Sequence, residues 1–389
     1  MHILSIETSA DETAVSVVEA DGDFPTAAYK LLGNALHSQV KLHEQYGGIF
    51  PAMAKREHAK AVVPLLKVAL EEAEMLSGGA HDLSQEQIEE LYETLVREPD
   101  LAETLVNFLE AHEQPELDVI AVTSGPGLEP ALWVGVNFAK ALSSIWGIPV
   151  VAVNHMEGHV LASIYDVEEE NKLSEIEFPT LALLVSCGHT ELVLMSDWGT
   201  YEKIGQTRDD AVGEAFDKVA RLLGLPYPGG PEISRLAKIA RASNLPVFTE
   251  LPRPMLNSDD YDFSFSGIKT AVRYAVADKE LTEKDTEALA RDFEDAVTEV
   301  LVKKTLGAAE QYGAKTIVVG GGVSANQYLR TQLQRATHEA DPDLAVFFPK
   351  PGLSTDNAVM IALAGHARLQ SAANPAAAKL IRADGNRSL

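Results

Sequence analysis

Apolar and β-branched residues run through positions 2–8 and again through 14–18, separated by the polar turn Ser9-Ala10-Asp11-Glu12-Thr13, a pattern that predicts a β-hairpin. A third extended piece is expected near 26–31. After Gly47-Gly48, Val62, Leu65, Leu66, Ala69 and Leu70 recur at helical spacing and predict a helix over 51–75, in which Pro64 marks either a kink or a fresh helix start. A buried strand over 118–123 then runs into Gly125-Pro126-Gly127, followed by a helix over 134–146, a strand over 149–153 and a helix that opens at His155.

The second part of the chain repeats this order. A strand over 180–185, a polar turn Ser186-Cys187-Gly188-His189-Thr190 and a return strand over 191–195 precede a third extended piece at 201–206. Helices are predicted over 211–223 and 286–312, then a strand over 315–319 running into Gly320-Gly321-Gly322, a helix over 325–337, a last strand over 344–348 and a helix at Asp356. Three meandering strands followed by strand–helix alternation, done twice, predict an α/β protein of two mixed-sheet halves with helices on their faces and a cleft between them. The expected division is a first lobe over 1–177 with an insertion near 77–117, a second over 178–360 with an insertion near 226–285, and a C-terminal helix and tail over 361–389. The 77–117 stretch, rich in glutamate and leucine, predicts two short acidic surface helices, either partner-binding or inert. The alanine-rich residues from about 372 are expected to be loosely held.

Composition narrows the class. The 389 residues are 46% hydrophobic and 23% charged, enough apolar material for about two domains. A single cysteine, Cys187, excludes an intramolecular disulfide, and no run approaches a membrane span, so a cytoplasmic protein with no membrane partner is expected. The formal net charge of -26 argues against broad attraction to nucleic acid, so any such contact must be local or shared with a partner.

Two features carry candidate chemistry. His155 and His159 are four apart at a helix start, so both imidazoles project from one face. With Asp356, expected from the opposite half, they would form a three-ligand site with open positions, the pattern of a catalytic rather than a structural metal. A pair of helical histidines with no ligand role is the alternative. The small-residue turns Ser186-Cys187-Gly188-His189, Gly229-Gly230 and Gly320-Gly321-Gly322 could converge backbone N–H groups on a phosphate, or serve only as tight turns. Asp209, Asp210, Glu214 and Asp217 cluster at a helix start, where acids complement the dipole; Asp217 could instead accept from a ribose hydroxyl.

The successive stretches ETSADET, YGGIFPAMAKREH, SGPGLEPALWVG, NHMEGH, LLVSCGHTELV, DDAVGEAFDKVARLLGLPYPGGP, FSFSGIKTA, GGGVSANQYLR and LSTDNAVMIA resemble, in order and over nearly the whole chain, the motifs of the tRNA N(6)-adenosine threonylcarbamoyltransferases. The resemblance implies two RNase H-like halves in the actin/Hsp70/sugar-kinase-like (ASKHA) arrangement. It implies that His155, His159 and Asp356 hold iron or zinc. It implies that Leu184, Val185, Ser186, Cys187, Gly188, Asp217, Gly230 and Asn326 contact the co-substrate threonylcarbamoyl-AMP, and that Glu12 and Asp11 lie near the reacting centre. tRNA and accessory proteins of the TsaB and TsaE type are the implied partners. The chain departs from the usual pattern at Ala10, where the family carries cysteine, and at Cys187, where it carries glycine; a glycine-only backbone angle at Cys187 would impair adenylate binding. Two other classes fit parts of the pattern. A zincin-type protease needs glutamate directly after the first histidine, where this chain has Met156, and Glu157 is expected to point off the ligand face. An ATP-binding kinase of the same fold, or a non-catalytic nucleotide-binding module, is the stronger alternative.

Overall fold

The computed structural model describes residues 1–79, 82–167, 171–277 and 279–389. In chain order its elements are β1 (His2–Glu7), β2 (Glu12–Asp21), β3 (Ala28–Ser38), α1 (Val40–His43), α2 (Pro51–Glu72), α3 (Gln85–Thr94), α4 (Pro99–Ala111), β4 (Val119–Gly125), α5 (Glu129–Trp146), β5 (Val150–Asn154), α6 (His155–Ile164), β6 (Tyr165–Asp166) and β7 (Lys172–Leu173). There follow β8 (Thr180–Val185), β9 (Thr190–Asp197), β10 (Thr200–Gln206), α7 (Val212–Leu222), α8 (Gly229–Ala242), α9 (Ser266–Val276), α10 (Glu283–Tyr312), β11 (Thr316–Gly320), α11 (Gln327–Ala340), β12 (Ala345–Phe347), α12 (Ala358–Ala367) and α13 (Pro375–Ala378). Among the described residues, no helix is long and apolar enough to cross a membrane.

The chain forms two compact units. Unit 1 comprises Met1–Leu42, Ile49–Ser174 and Asp356–Leu389; unit 2 comprises His43–Gly48 and Glu175–Thr355. The sheet of unit 1 runs β5-β4-β1-β2-β3-β7-β6, and that of unit 2 runs β10-β9-β8-β11-β12. Numbered by appearance within each unit, both contain the order 3-2-1-4-5, with the first three strands antiparallel and the last two parallel to the first. That shared order is the RNase H-like topology twice over.

Strand alternation decides what each face of unit 1 does. Leu4 and Ile6 of β1 join Val62, Leu66, Leu132 and Phe138 of α2 and α5 in one apolar core. Ile3, Ser5 and Glu7 therefore point to the other face, where α12 packs on β1, β2, β4, β5 and α6. α12 is apolar all round, and Val359, Met360, Ile361 and Leu363 are buried, as a helix with no polar face requires. Its destination corrects one expectation: Asp356, which precedes the Asn357 cap of α12, belongs to the same unit as His155 and His159 and does not come from the opposite half.

Three further expectations change. Pro64 neither breaks nor restarts α2, which is one helix from Pro51 to Glu72. The stretch near 77–117 does form two helices, α3 and α4, but they are not merely superficial: Leu91, Leu101, Ala102, Leu105 and Phe108 complete the core against α2 and α5. Residues 80 and 81 of that stretch lie outside the described residues. The tail is held rather than loose. Val150 and Ala373 exchange backbone hydrogen bonds at 2.8 Å, Asp384 N donates to Ser124 O at 2.8 Å, and Ala378 is buried.

Candidate metal centre and nucleotide-binding turns

In unit 1, β5 delivers Asn154 to the N-cap of α6. Its side-chain oxygen accepts from the backbone N–H groups of Met156 at 2.9 Å and Glu157 at 3.3 Å, which fixes the helix start one residue before the first histidine. His155 and His159 then meet edge to face one turn apart, with ring centroids 4.7 Å apart at 84°. Asp356 meets both: its Oδ1 lies 3.3 Å from His155 Nε2 and 3.2 Å from His159 Nε2. One ligand atom from each of the three residues lies within 4.8 Å of the other two.

The donor set suits a divalent cation. His155 and His159 are 5% and 1% exposed, and among the described residues neither buried ring nitrogen of His159 has a hydrogen-bond partner, Nε2 facing the Asp356 carboxylate at 3.2 Å. A buried imidazole with an unused lone pair beside a carboxylate is poorly satisfied by the protein alone and well satisfied by a metal. Electrostatics separate the two rings. Burial opposes charge on His155, but the carboxylates of Asp356 and Glu7 hold its proton affinity well above the usual imidazole range. On His159, burial dominates and pushes it down. Burial would raise Asp356, yet the two imidazoles hold it below the usual carboxylate range.

The first turn adjoins this cluster. Ser9 Oγ donates to Asp356 Oδ2 at 3.4 Å. His58 is fully buried; its Nε2 donates to Ala10 O at 3.0 Å, so its Nδ1 accepts from Thr13 Oγ1 at 2.7 Å, and the ring pins the turn that carries Asp11 and Glu12. Burial, reinforced by the Asp11 and Asp356 carboxylates, pushes Glu12 up to about 10, while Ser38 Oγ donates to its Oε1 at 3.2 Å. Glu157 does leave the ligand face, as its position predicts. It forms a bidentate pair with Arg368 at the end of α12, both Nε contacts at 3.0 Å and Nη2 at 2.9 Å from Oε1.

Unit 2 gathers the remaining candidates. β8 and β11 are adjacent and parallel with Leu184 opposite Gly320, so Ser186-Cys187-Gly188 and Gly320-Gly321-Gly322 leave neighbouring strand ends. From β8 the sheet continues to β9 on one side and β11 on the other, and ligands of open α/β sheets bind at such a switch in strand order. Leu184 and Val185 are buried within the strand, whereas Ser186 Oγ accepts from Gly188 N at 3.3 Å and His189 N at 3.0 Å, closing the turn. Cys187 is exposed and is absent from the positive-φ residues, so this turn does not demand glycine there. Gly321 differs: its φ is +90°, and a Cβ would lie 2.4 Å from Val185 O.

Asp217 accepts from Gly229 N, the first residue of α8, at 2.7 Å, and Gly230 next to it has open space where a side chain would be. A cavity of about 440 Å³ in unit 2 is lined by Tyr46, Gly47, Asp217, Arg221, Pro226 and Tyr227. Asn326 is engaged within the fold. Its Oδ1 caps α11 by accepting from Leu329 N at 2.9 Å, and its Nδ2 donates to Ser234 Oγ at 2.9 Å and Glu294 Oε1 at 2.7 Å. Sequence reasoning missed Glu7, His58 and Arg368; only the polar end of an apolar strand marked Glu7, and nothing local marked the other two.

Comparison with known proteins identifies the family. The model of the tRNA N6-adenosine threonylcarbamoyltransferase family, TsaD, matches residues 30–78 and 100–363, and the unmatched 79–99 contain α3. Proteins named tRNA N6-adenosine threonylcarbamoyltransferase from Ralstonia pickettii and Chromobacterium violaceum are each 42% identical to it, over 95% and 96% of this chain and 92% and 94% of theirs. Among solved structures, full-length HypF in its phosphate- and nucleotide-bound form is similar at a TM-score of 0.48 and 14% identity, over 70% of this chain and 41% of that one. The extent of the family match and the identity over almost the full length of these relatives place the chain in the tRNA N6-adenosine threonylcarbamoyltransferase family, as a transferase that acts in tRNA modification.

Proposed function

We propose that this chain transfers the threonylcarbamoyl group from threonylcarbamoyl-AMP to the exocyclic amine of the adenosine on the 3′ side of the anticodon, in tRNAs that read codons beginning with A. The observation that carries the cation-assisted form of this reading is the convergence of His155 Nε2 and His159 Nε2 on one oxygen of Asp356. His155, His159 and Asp356 would hold one iron or zinc ion, which when bound supplies Lewis acidity toward the donor.

The adenine amine is a weak nucleophile because its lone pair is delocalised into the ring, so the acyl donor must be an activated mixed anhydride. In unit 2, the backbone N–H groups at the β8 and β11 ends and at the start of α8 are suited to orienting the AMP phosphate. Tyr46, Tyr227, Arg221 and Asp217 line a cavity whose volume of about 440 Å³ is in the range of small-molecule sites. Its two rings can stack on a base, and the Asp217 carboxylate can accept from a ribose hydroxyl. In unit 1, Glu12 is neutral near pH 7 in the cation-free protein, because burial and two neighbouring carboxylates disfavour its charge. Asp11 beside it is a carboxyl group able to take the amine proton.

The acceptor lies in a single-stranded loop, where unstacking a base costs about a few kcal/mol. With a net charge of -26, the chain is suited to sharing tRNA binding with accessory proteins of the TsaB and TsaE type that bring basic surface. The test is transfer of labelled threonylcarbamoyl from its adenylate to an anticodon stem-loop, with those partners supplied. Label should reach the loop carrying adenosine and not one carrying inosine in its place. No transfer by the wild-type chain, with nucleotide affinity retained, would leave a nucleotide-binding module instead.

A further inference from the structure

We infer that Glu7 is a positioning residue for the cation site, fixing which nitrogen of His155 faces the ion. This rests on the reading that His155, His159 and Asp356 hold the cation. Glu7 closes β1 on the face opposite Leu4 and Ile6, and it is 0% exposed. Three donors converge on its carboxylate: Ser9 N–H at 2.5 Å on Oε1, and Thr123 Oγ1 at 2.5 Å with His155 Nδ1 at 3.0 Å on Oε2. Among the described residues no lysine or arginine pairs with it; its one ion-pair neighbour is His155.

A carboxylate that receives three donors acts as acceptor only, so the bond to His155 requires the hydrogen on Nδ1. The lone pair of the neutral ring then lies on Nε2, the atom that faces Asp356 Oδ1 at 3.3 Å. Metal-bound histidines characteristically give their other N–H to a carboxylate, which sets ring orientation and raises ligand basicity. Among the described residues His159 has no such support, since its buried Nδ1 has no partner there. The two imidazoles are thus unequal, and His155 is the one whose tautomer and angle are built in. Glu7 also links the site to the first turn, because the Ser9 whose N–H it holds donates its hydroxyl to Asp356.

Glu7→Gln keeps the volume and breaks the pattern. Whichever way the amide is turned, its NH₂ meets a donor: Ser9 N–H on one side, or Thr123 and His155 on the other. In the second arrangement His155 can bond only by moving its hydrogen to Nε2, where the cation binds.

The experiment measures Zn²⁺ affinity of the metal-stripped full chain by competition with a chromophoric chelator, for wild type, Glu7→Gln and His159→Ala. Glu7→Gln should weaken Zn²⁺ binding about 10- to 100-fold with secondary structure retained. Affinity within about twofold of wild type, alongside loss in His159→Ala, would overturn the role of Glu7. Unchanged affinity in His159→Ala would instead overturn the cation site itself. Should Glu7→Gln not fold, ¹⁵N NMR of the Zn²⁺-loaded wild type decides: a hydrogen on Nδ1 of His155 supports the inference, and a metal on Nδ1 refutes it.

Discussion

Removing the Arg368 side chain tests whether the two elements that carry the ligands are clasped together. Glu157 lies on α6 between the histidines with a side chain 4% exposed, and Arg368 at the end of α12 holds it bidentately with a side chain 38% exposed. Breaking a buried ion pair from one side costs about 3–5 kcal/mol, because a charge is left without its partner. Two features lower that here. The arginine end is partly in water, where pairing is worth less, and Arg387 acts favourably with Glu157 and compensates in part. Arg368→Ala should therefore cost about 1–3 kcal/mol of unit 1 stability. Trp133 and Trp146 lie in unit 1 and Trp198 in unit 2, so urea unfolding followed by tryptophan fluorescence in a Trp198→Phe background reads unit 1 alone. Adding Glu157→Gln to Arg368→Ala removes the stranded charge and should bring stability back to within about 1 kcal/mol of wild type. A cost below about 0.5 kcal/mol for Arg368→Ala, or a double variant no better than the single one, would refute the clasp.

Leu105→Ala in α4 should cost about 2–5 kcal/mol by opening a cavity in the unit 1 core, whereas Tyr92→Ser on the exposed side of α3 should stay within about 0.5 kcal/mol; equal, small effects would return the stretch near 77–117 to an inert surface role. Two groups of the metal-stripped protein, His155 and Glu12, have folded proton affinities raised above their unfolded values, so the stability they contribute is present at low pH and lost as pH rises. Thermal stability of that form should fall from about pH 7 to about pH 9, and less steeply in Glu12→Gln; a rise over that window, or an identical slope in the variant, would contradict the assignment. Because Cys187 does not occupy the left-handed backbone region, Cys187→Gly should leave AMP affinity unchanged within about threefold, as isothermal titration would measure; a tenfold gain would show strain at that turn.

The hairpins, the parallel strands and the order in which they recur were legible because β-branched runs and small-residue turns are local signals. The repeat predicted two mixed sheets, and the structure supplies their shared strand order. The home of Asp356 was not legible from the repeat alone, which assigned it to the second half by analogy. The signal that overrides the analogy is α12 itself: a segment reading AVMIALAGHA has no polar face, so it must be enclosed, and in the structure it is enclosed on the sheet of unit 1. α3 and α4 were predicted as helices, but their glutamates masked the leucine stripe that faces the core. The tail was misjudged for a related reason. Several of its anchors are backbone groups, at Ala373, Asp384, Gly385 and Ser388, of which side-chain composition carries no trace; Ala378 and Ala383 add small apolar contacts to the core of unit 1. Of the site, the His155–His159 pair was readable from spacing and Asp356 only through the analogy between the halves, while Glu7 and the Glu157–Arg368 pair depend on tertiary packing that no local pattern encodes.

The most direct test compares metal content and transfer rate on the same preparations of wild type and Asp356→Asn. The account predicts one iron or zinc per wild-type chain, little or none in the variant, and loss of threonylcarbamoyl transfer in parallel with loss of metal. Full transfer by a metal-free Asp356→Asn protein would contradict it.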